Sequence, residues 1–400
     1  MNGTSFEVVV VGGGPAGLTA AVAMAGARIR TCLVSRHSVA DNRTTALLAG
    51  SVQALDVIGL WEQCRSHAAP LRSIRVIDAT TRLLRGPEIC FSAEEIGLHA
   101  FGHNIENRHL LSALQARARE LPALSLMDDE AEAVELGELQ VAVTLRRWEA
   151  VSARLVIGAD GRHSRMRLAA GIEIDPRSYP QSALTFNVRH RRDHHGTATE
   201  LHTETGPFTL VPLPGKRSSL VWVTTPEQGA RLVNLEDARL AEEVERQSHS
   251  ILGAVEIEPG RSLFPLGVAT ARRLSTHRLV LIGEAAHLTP PIGAQGLNLG
   301  LRDAATIAEL TVAAHRVGED VGSAALTARY AAMRRADVTS RIMAVDLLNR
   351  SLLSDLLPVQ GLRGLALYLL DRIGPLRRAL MREGVVPSSA QPRLMQGLPL

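Results

Sequence analysis

The sequence predicts an α/β protein with a parallel sheet, an inserted β-rich segment and a helical C-terminal region. Four consecutive valines, Val8 to Val11, lie directly ahead of a glycine-rich turn. From about residue 172 to 266 the pattern becomes β-rich, and beyond residue 324 it is helical to about residue 382. A continuous apolar run indicates a strand buried on both faces, which is typical of a parallel sheet covered by helices.

The first strand is followed at once by the motif G-x-G-x-x-G, formed by Gly12, Gly14 and Gly17. The next residues, Leu18 to Ala25, are small and apolar, as in a helix that packs closely on a sheet. Gly12 permits a tight turn, Gly14 lets the backbone approach phosphates, and Gly17 allows close packing. We therefore predict a Rossmann-like unit that binds a dinucleotide pyrophosphate at a helix N-terminus. The alternative is a glycine-rich turn in some other α/β protein.

Local patterns predict the remaining elements and a division into domains. Strands are expected over 30–34, 73–77, 83–91, 155–158, 184–188, 208–213, 219–223 and 279–283, with alternating strands over 131–145, and helices over 46–58, 108–120 and from 297 onward. Gly374-Pro375 divides the C-terminal helical region, and 387–400 is expected to be a loose tail. The domain assignment is 1–75, 100–170 and 270–325 for the discontinuous nucleotide-binding domain, 76–99 and 171–269 for a β-rich substrate domain, and 326–400 for a helical segment.

Composition excludes several classes of protein. With 400 residues, 46% of them hydrophobic and 21% charged, the chain fits a soluble globular protein. The balance of 44 basic and 41 acidic residues gives no case for nucleic-acid binding. Its three cysteines are widely spaced, so we expect neither a disulfide framework nor a metal site, and a reducing, cytoplasmic location. No signal peptide or transmembrane segment is predicted.

Two further motifs follow predicted buried strands. The first is Gly158-Ala159-Asp160-Gly161, and the second runs from Gly283-Glu284 through Pro290-Pro291 to Gly296-Leu297-Asn298. Three strand ends with glycine-rich backbone are expected to meet at one edge of the sheet, where ligands bind in open α/β folds.

Together these motifs resemble the class A flavoprotein aromatic hydroxylases, the para-hydroxybenzoate hydroxylase-like group. Other segments resemble the UbiH subfamily of ubiquinone-biosynthesis hydroxylases, namely Asp41-x-Arg43-Thr44-Thr45-Ala46-Leu47, Asn104 to Arg108, Tyr179-Pro180-Gln181, Gly206-Pro207, Pro212-Leu213-Pro214, Val221-Trp222 and 341–349. The likeness covers nearly the whole chain. It implies a GR2-type, Rossmann-like FAD-binding domain with an inserted β-sheet substrate domain and C-terminal helices.

The resemblance also implies which residues bind the cofactors FAD and NAD(P)H. They are Gly12, Gly14, Pro15, Ala16, Gly17, Ser35, Arg36, Arg43, Asn107, Asp160, Gly161, Glu284, Pro291, Gly296, Leu297 and Asn298. Arg43 would meet the pyrophosphate, and Glu284 would accept hydrogen bonds from the ribityl chain where most relatives carry aspartate. Relatives usually have a glutamate for the adenosine ribose at the place of Ser35, and a Ser35-Arg36 pair could instead suit a 2′-phosphate.

The implied activity is that of an FAD-dependent monooxygenase that uses NAD(P)H and O₂. It would hydroxylate a polyprenyl phenol of ubiquinone biosynthesis through a flavin C4a-hydroperoxide, with no side-chain nucleophile and no metal. His287 alone favours a packing or hydrogen-bonding role. Three alternatives remain: a polyprenyl reductase, a non-catalytic accessory flavoprotein and a halogenase, which would need a catalytic lysine where this chain has only Lys216.

The C-terminal region carries an apolar stripe at helical spacing with several arginines. The stripe consists of Leu362, Ala366, Leu369, Ile373, Leu376 and Leu380, accompanied by Arg363, Arg372, Arg377, Arg378 and Arg382. Such a stripe can lie on an anionic membrane surface, which would place the protein peripherally on the inner membrane face. The alternative is packing on the body of the protein or on a partner, such as another quinone-biosynthesis protein.

Overall fold

The computed structural model describes residues 5–36, 41, 43–82, 85–354, 356–385 and 391–400. The strands are β1 Ser5–Val11, β2 Thr31–Val34, β3 Thr44–Leu48, β4 Ala68–Pro70, β5 Ser73–Asp78, β6 Ile89–Ser92, β7 Gly102–Glu106, β8 Leu124–Met127, β9 Ala131–Leu136, β10 Val141–Leu145, β11 Val151–Gly158, β12 Ile174–His190, β13 Thr197–Thr203, β14 Gly206–Leu213, β15 Arg217–Thr224, β16 Val255–Ile257, β17 Ser262–Ala271, β18 Ser275–Thr276, β19 Leu279–Leu281 and β20 His287–Leu288. The helices are α1 Pro15–Gly26, α2 Ala49–Val57, α3 Trp61–Arg65, α4 Asn107–Arg119, α5 Arg165–Ala169, α6 Pro226–Val233, α7 Asp237–Gln247, α8 Gln295–Arg316, α9 Ala324–Leu353, α10 Leu357–Arg372 and α11 Gly374–Val385.

The first sheet has the order β18-β19-β11-β1-β2-β8, with β10 and β9 attached to β11. The valines of β1 are buried, as their continuous apolar run predicts. β1, β2, β8, β11 and β19 are parallel neighbours, and the register places Val11 opposite Gly158 and Gly158 opposite Leu281. The strand ends that precede the three glycine-rich motifs therefore lie level at one edge of this sheet, as predicted.

The second sheet has the order β20-β17-β12-β15-β14-β13-β5-β6 and is antiparallel except between β13 and β5. One face packs on α6 and α7 through an apolar core that includes Phe208, Trp222 and Leu240. The other face lines a cavity between this sheet and the first sheet. β5 begins at Ser73 and belongs to this second sheet, so the boundary proposed after residue 75 lies inside a strand.

Two predicted elements near the start of the chain differ in the structure. The helix expected over 46–58 begins at Ala49, because Thr44–Leu48 instead forms β3 and pairs with β7. The strand expected over 83–91 is limited to Ile89–Ser92; residues 83 and 84 lie outside the described residues. Gly86 lies outside the strand, and its N–H donates a hydrogen bond to the Asp78 carboxylate over 3.0 Å.

The C-terminal helices α9, α10 and α11 confirm the predicted helical region and its division at Gly374. The prediction of a loose tail is wrong for residues 391–400, and residues 386–390 lie outside the described part of the chain. Leu394 and Met395 are buried in the main core, so apolar burial fixes this segment. Among the described residues, none of the helices combines the length and apolar character needed to cross a bilayer.

A buried group of charged side chains joins α8 to α9. Asp303 accepts a hydrogen bond from Arg334 Nε over 2.7 Å, and Arg334 also donates to Asp337 over 2.7 Å. Asp337 accepts two further bonds, from Arg302 over 2.6 Å and from Arg341 over 2.9 Å. Burial opposes ionisation of Asp337, but the surrounding arginines outweigh that effect, and its pKa lies well below the ordinary value.

We expect Asp337→Asn to lower the free energy of unfolding by about 3 kcal/mol or more, because three buried guanidinium groups lose their shared counter-charge. Denaturant unfolding measures the change. Glu242→Gln is the control, since its partner Arg239 and Glu242 itself are both more than 60% exposed and the pair spans 2.9 Å. The control should change stability by less than about 0.5 kcal/mol. Equal effects of the two variants would contradict the role given to the buried group.

Candidate cofactor and substrate site

A cavity of about 590 Å³ lies between the glycine-rich edge of the first sheet and the inner face of the second sheet. Its first end is lined by Gly14–Gly17, Arg43, Asn107, Gly161, Glu284, Pro291 and Gly293–Leu297. The three sequence motifs therefore meet at one site, although they are separated by more than a hundred residues. Most of the predicted site residues line this end.

The N-terminus of α1 has the geometry that the glycine motif predicts. Gly12 has φ +120°, and a Cβ there would lie 2.2 Å from the carbonyl oxygen of Ala159. A Cβ on Gly17 would lie 2.1 Å from Gly12 O, so α1 approaches β1 as closely as only glycine allows. Gly14 is the N-cap, without a side-chain hydrogen bond, and the first turn has no acidic residue. The N–H groups facing the cavity are thus suited to an anion.

A second helix N-terminus faces the same cavity. α8 begins at Gln295, and its N-cap residue Ala294 is left-handed, with φ 54°. Its N-terminal end also has no side-chain cap and no acidic residue in the first turn. The helix predicted from residue 297 onward is confirmed, and it begins two residues earlier. Two helix N-termini with positive partial charge therefore converge on one cavity.

Asn298 differs from the other residues of its motif, because both the oxygen and the nitrogen of its side-chain amide are hydrogen-bonded inside the protein. Its Oδ1 accepts hydrogen bonds from Leu48 N over 2.9 Å and from Ser51 Oγ over 2.6 Å. Its Nδ2 donates to Ala46 O over 2.8 Å and to Ala294 O over 2.6 Å. The side chain is completely buried and ties β3 and α2 to the start of α8. Its contribution to a cofactor site is to position this backbone.

Arg43 lines the cavity, but part of its guanidinium is already paired. Its Nε and Nη2 each donate to the Asp41 carboxylate over 2.9 Å. Asn107 Nδ2 also donates to Asp41 over 2.8 Å, and Thr45 Oγ1 donates to Asn107 Oδ1 over 2.6 Å. Burial opposes ionisation of Asp41, but the hydrogen bonds from Arg43 and Asn107 outweigh it, and the pKa of Asp41 is lowered. Arg43 can therefore offer a phosphate only its remaining donor capacity.

Glu284 and Asp160 have distinct roles in the structure. The Glu284 side chain is 47% exposed at the cavity, with Arg162 Nε 3.8 Å from its Oε2. Asp160 accepts hydrogen bonds from Ser164 Oγ and from Met166 N, the latter over 3.1 Å. It therefore holds the first turn of α5, while the neighbouring Gly161 and Arg162 line the cavity.

Ser35 and Arg36 lie outside the lining of this cavity. A Cβ built on Gly13 would be 2.6 Å from Ser35 Oγ, so the hydroxyl lies against the glycine turn. Arg36 pairs with Glu130 over 3.2 Å. Residues 37–40, which follow, are not among the described residues.

His287 lines the cavity and is almost completely buried. Its Nε2 lies 2.6 Å from Asp303 Oδ2, which also accepts a bond from Gly283 N over 3.0 Å. Burial opposes ionisation of Asp303, but its basic partners His287 and Arg334 lower its pKa to about 2. His287 thus has the hydrogen-bonding role that the sequence favours, and it anchors the third glycine turn.

The second end of the cavity is the inner face of the second sheet. Strand alternation presents Thr185, Asn187, Ala198, Glu200, Thr209, Val211, Ser219 and Val221 there, with Phe264 and Leu266 beside them. Two asparagines join the second sheet to β7, which forms a separate three-stranded sheet with β3 and β4: Asn104 Nδ2 donates to Ser219 Oγ over 3.0 Å, and Asn187 Nδ2 donates to Glu106 over 3.1 Å. This end combines aliphatic and aromatic groups with hydroxyl and amide groups and one carboxylate, Glu200, which suits a ring-bearing ligand with a polar substituent.

Sequence reasoning missed the residues of this sheet face and the part played by Asp41. The signal for the face was the alternation of small polar or aliphatic residues along β13 to β15. In the sequence, Asp41 stands out only as part of the motif that contains Arg43. Lys216, which a halogenase would need in the site, is exposed in the β14–β15 turn and does not line the cavity.

Comparison with known proteins agrees with this geometry. Residues 5–344 match the FAD binding domain family. The chain is 36% identical to ubiquinone hydroxylase UbiL of Rhodospirillum rubrum, over 98% of this chain and 93% of that protein. It is 29% identical to 3-demethoxyubiquinol 3-hydroxylase of Escherichia coli, over 96% of this chain and 99% of that protein.

Among solved structures, p-nitrophenol 4-monooxygenase PnpA of Pseudomonas putida superposes with a TM-score of 0.79 and 19% identity, over 95% of this chain and 98% of that one. That likeness shows the fold, and the relatives confirm the resemblance inferred from the motifs. The chain belongs to the FAD-binding domain family, within the group of flavoprotein aromatic hydroxylases that contains the ubiquinone-biosynthesis hydroxylases.

Proposed function

We propose that this FAD-dependent monooxygenase uses NAD(P)H and O₂ to hydroxylate the aromatic ring of a prenylated phenol in ubiquinone biosynthesis. The observation that carries the proposal is one cavity that has two helix N-termini without side-chain caps at one end and, at the other, a sheet face of aliphatic and polar groups. The relatives named as ubiquinone hydroxylases support the choice of substrate class.

The residues at the first end fit FAD. The N–H groups at the start of α1 would receive the pyrophosphate, with Arg43 adding positive charge and Asp41 fixing its orientation. Glu284 would accept hydrogen bonds from the ribityl hydroxyls. The start of α8 would stabilise negative charge on the flavin ring, with Pro291 beside it.

When bound, FAD supplies the activation of oxygen, and the protein supplies binding, orientation and a dry site. Val211, Val221 and Leu266 would exclude water from the ring and hold it against the cofactor. Asp160 acts through α5 by positioning Gly161 and Arg162.

The experiment that tests the function incubates the FAD-loaded protein with NADPH or NADH, ¹⁸O₂ and 2-prenylphenol, followed by mass spectrometry. We expect one ¹⁸O atom in the product ring. Reduction of the prenyl double bond without O₂ uptake would instead indicate a reductase. Flavin reduction without any product would favour an accessory flavoprotein.

A second prediction concerns Glu284. Glu284→Ala should weaken FAD binding by on the order of 1–3 kcal/mol, because ribityl hydroxyls lose their acceptor in the site. Glu284→Asp should lose much less, since it keeps a carboxylate. Titration of the FAD-free protein, followed by flavin fluorescence, gives both dissociation constants. Glu256→Ala, outside the cavity, is the control. Equal constants for the two Glu284 variants would exclude the assignment.

We also propose that the C-terminal helices lie on a membrane surface. Leu362, Leu365 and Leu369 lie on α10, Ile373 ends that helix, and Leu376 and Leu380 lie on α11; these six side chains are 37–67% exposed. Two of the accompanying arginines serve a different purpose. Arg363 pairs with Asp78 over 3.0 Å, and Arg377 pairs with Glu95 over 2.7 Å, so both hold the helices on the second sheet and its β6 end. Exposed arginines such as Arg372 and Arg378 remain for anionic lipid.

The double variant Leu365→Gln, Leu369→Gln should float much less with anionic liposomes, because each leucine loses roughly 1.5–3 kcal/mol of apolar burial. Leu139→Gln is the control, because Leu139 is 80% exposed in the β9–β10 turn. Its flotation should match that of the unaltered protein. Flotation that survives the double change would refute the membrane face, and loss of a discrete oligomer would indicate a protein partner.

A further inference from the structure

The second sheet places one carboxylate on its cavity face. Along β13, Ala198, Glu200 and His202 point to one side, while Leu201 between them enters the core beside Phe208. Ala198 and Glu200 both line the cavity. Among the described lining residues, the other carboxylates are Asp41 and Glu284, which lie at the opposite end. Glu200 is therefore placed on the side where the ring of a substrate would lie.

A histidine holds this carboxylate. His202 Nε2 lies 2.8 Å from Glu200 Oε1, and the two side chains are 5% and 19% exposed. His202 Nδ1 is buried and makes no hydrogen bond within the described part of the protein, so Nε2 is the polar contact of this ring. The pair fixes one carboxylate oxygen and leaves acceptor capacity on a group that can take up to about four hydrogen bonds.

The groups around Glu200 indicate which kind of ligand group could use its remaining acceptor capacity. The neighbouring cavity face consists of neutral groups such as Val211, Val221, Thr209 and Ser219. A half-buried carboxylate among such groups is stabilised by a further donor, and a hydroxyl brought in by a ligand can provide it. A phenolic O–H is a suitable donor because the carboxylate draws its proton and raises electron density in the ring.

We propose that Glu200 accepts a hydrogen bond from the phenolic hydroxyl of the substrate, and that His202 positions the Glu200 carboxylate. This inference rests on the proposed function for its substrate class. The contact selects phenols over otherwise identical rings that lack the hydroxyl. It also sets which ring carbon faces the cofactor. No covalent step occurs at Glu200, and the proton stays shared along the O–H···O⁻ bond.

The test measures binding of two ligands to the FAD-loaded protein, 2-prenylphenol and prenylbenzene, through the change in flavin absorbance. The ligands differ only by the hydroxyl. We expect the unaltered protein to prefer the phenol by roughly tenfold or more, as a hydrogen bond to a charged acceptor allows. Glu200→Gln should lose most of that preference while binding prenylbenzene normally. Glu256→Gln, a carboxylate of the same sheet outside the cavity, should keep the preference.

His202→Phe should reduce the preference for the phenol, and His202→Gln, which keeps a donor, should restore part of it. An unchanged ratio in His202→Phe would overturn the positioning role. If Glu200→Gln does not fold, Glu200→Asp replaces it, and a preference unaffected by the shortened side chain would overturn the proposal. FAD content and thermal unfolding are recorded for every variant.

Three outcomes overturn the role of Glu200: a preference retained by Glu200→Gln, equal losses for both ligands, or no preference in the unaltered protein. Failure of the proposed function is a separate result, seen as the absence of ¹⁸O in the product while the Glu200-dependent preference persists. Conversely, a hydroxylated product together with a preference for the phenol that does not depend on Glu200 would refute this inference alone.

Discussion

The geometry of the site depends on the hydrogen bonds that the buried Asp303 carboxylate accepts. One oxygen accepts from the backbone of Gly283 and from His287, and the other accepts from Arg334. A single side chain on α8 thereby fixes the third glycine turn and connects to α9. Because the group is entirely buried, its negative charge requires all these donors, and the turn, α8 and α9 keep one relative position.

The parts of the site that sequence predicts are those governed by local chemistry. The turn at Gly12 follows from one backbone angle and one close approach, and the burial of β1 follows from its valines. The start of α8 was likewise predictable from its glycine-rich approach. Each of these features is decided within a few residues, so the pattern along the chain is sufficient.

Other parts depend on contacts between residues far apart in the chain. Asn298 looked like a cofactor ligand, yet it serves β3 and α2 some 250 residues away. Arg43 was expected to meet the pyrophosphate, yet its guanidinium is partly paired with Asp41, which also accepts a hydrogen bond from Asn107. The burial of Leu394 against the core is likewise invisible in a segment without helical periodicity. The sequence pattern singled out Asn298 and Arg43 as site residues but could not show which partners they have, and it gave no sign that Leu394 is buried.

The ion pair between Arg363 and Asp78 has a mechanical consequence. Asp78 ends β5, and Ile74 on the same short strand lines the cavity. The apolar helix face of α10 and one wall of the cavity are therefore attached to a single strand. A displacement of α10 would therefore reach that wall of the cavity through the Arg363–Asp78 ion pair and β5.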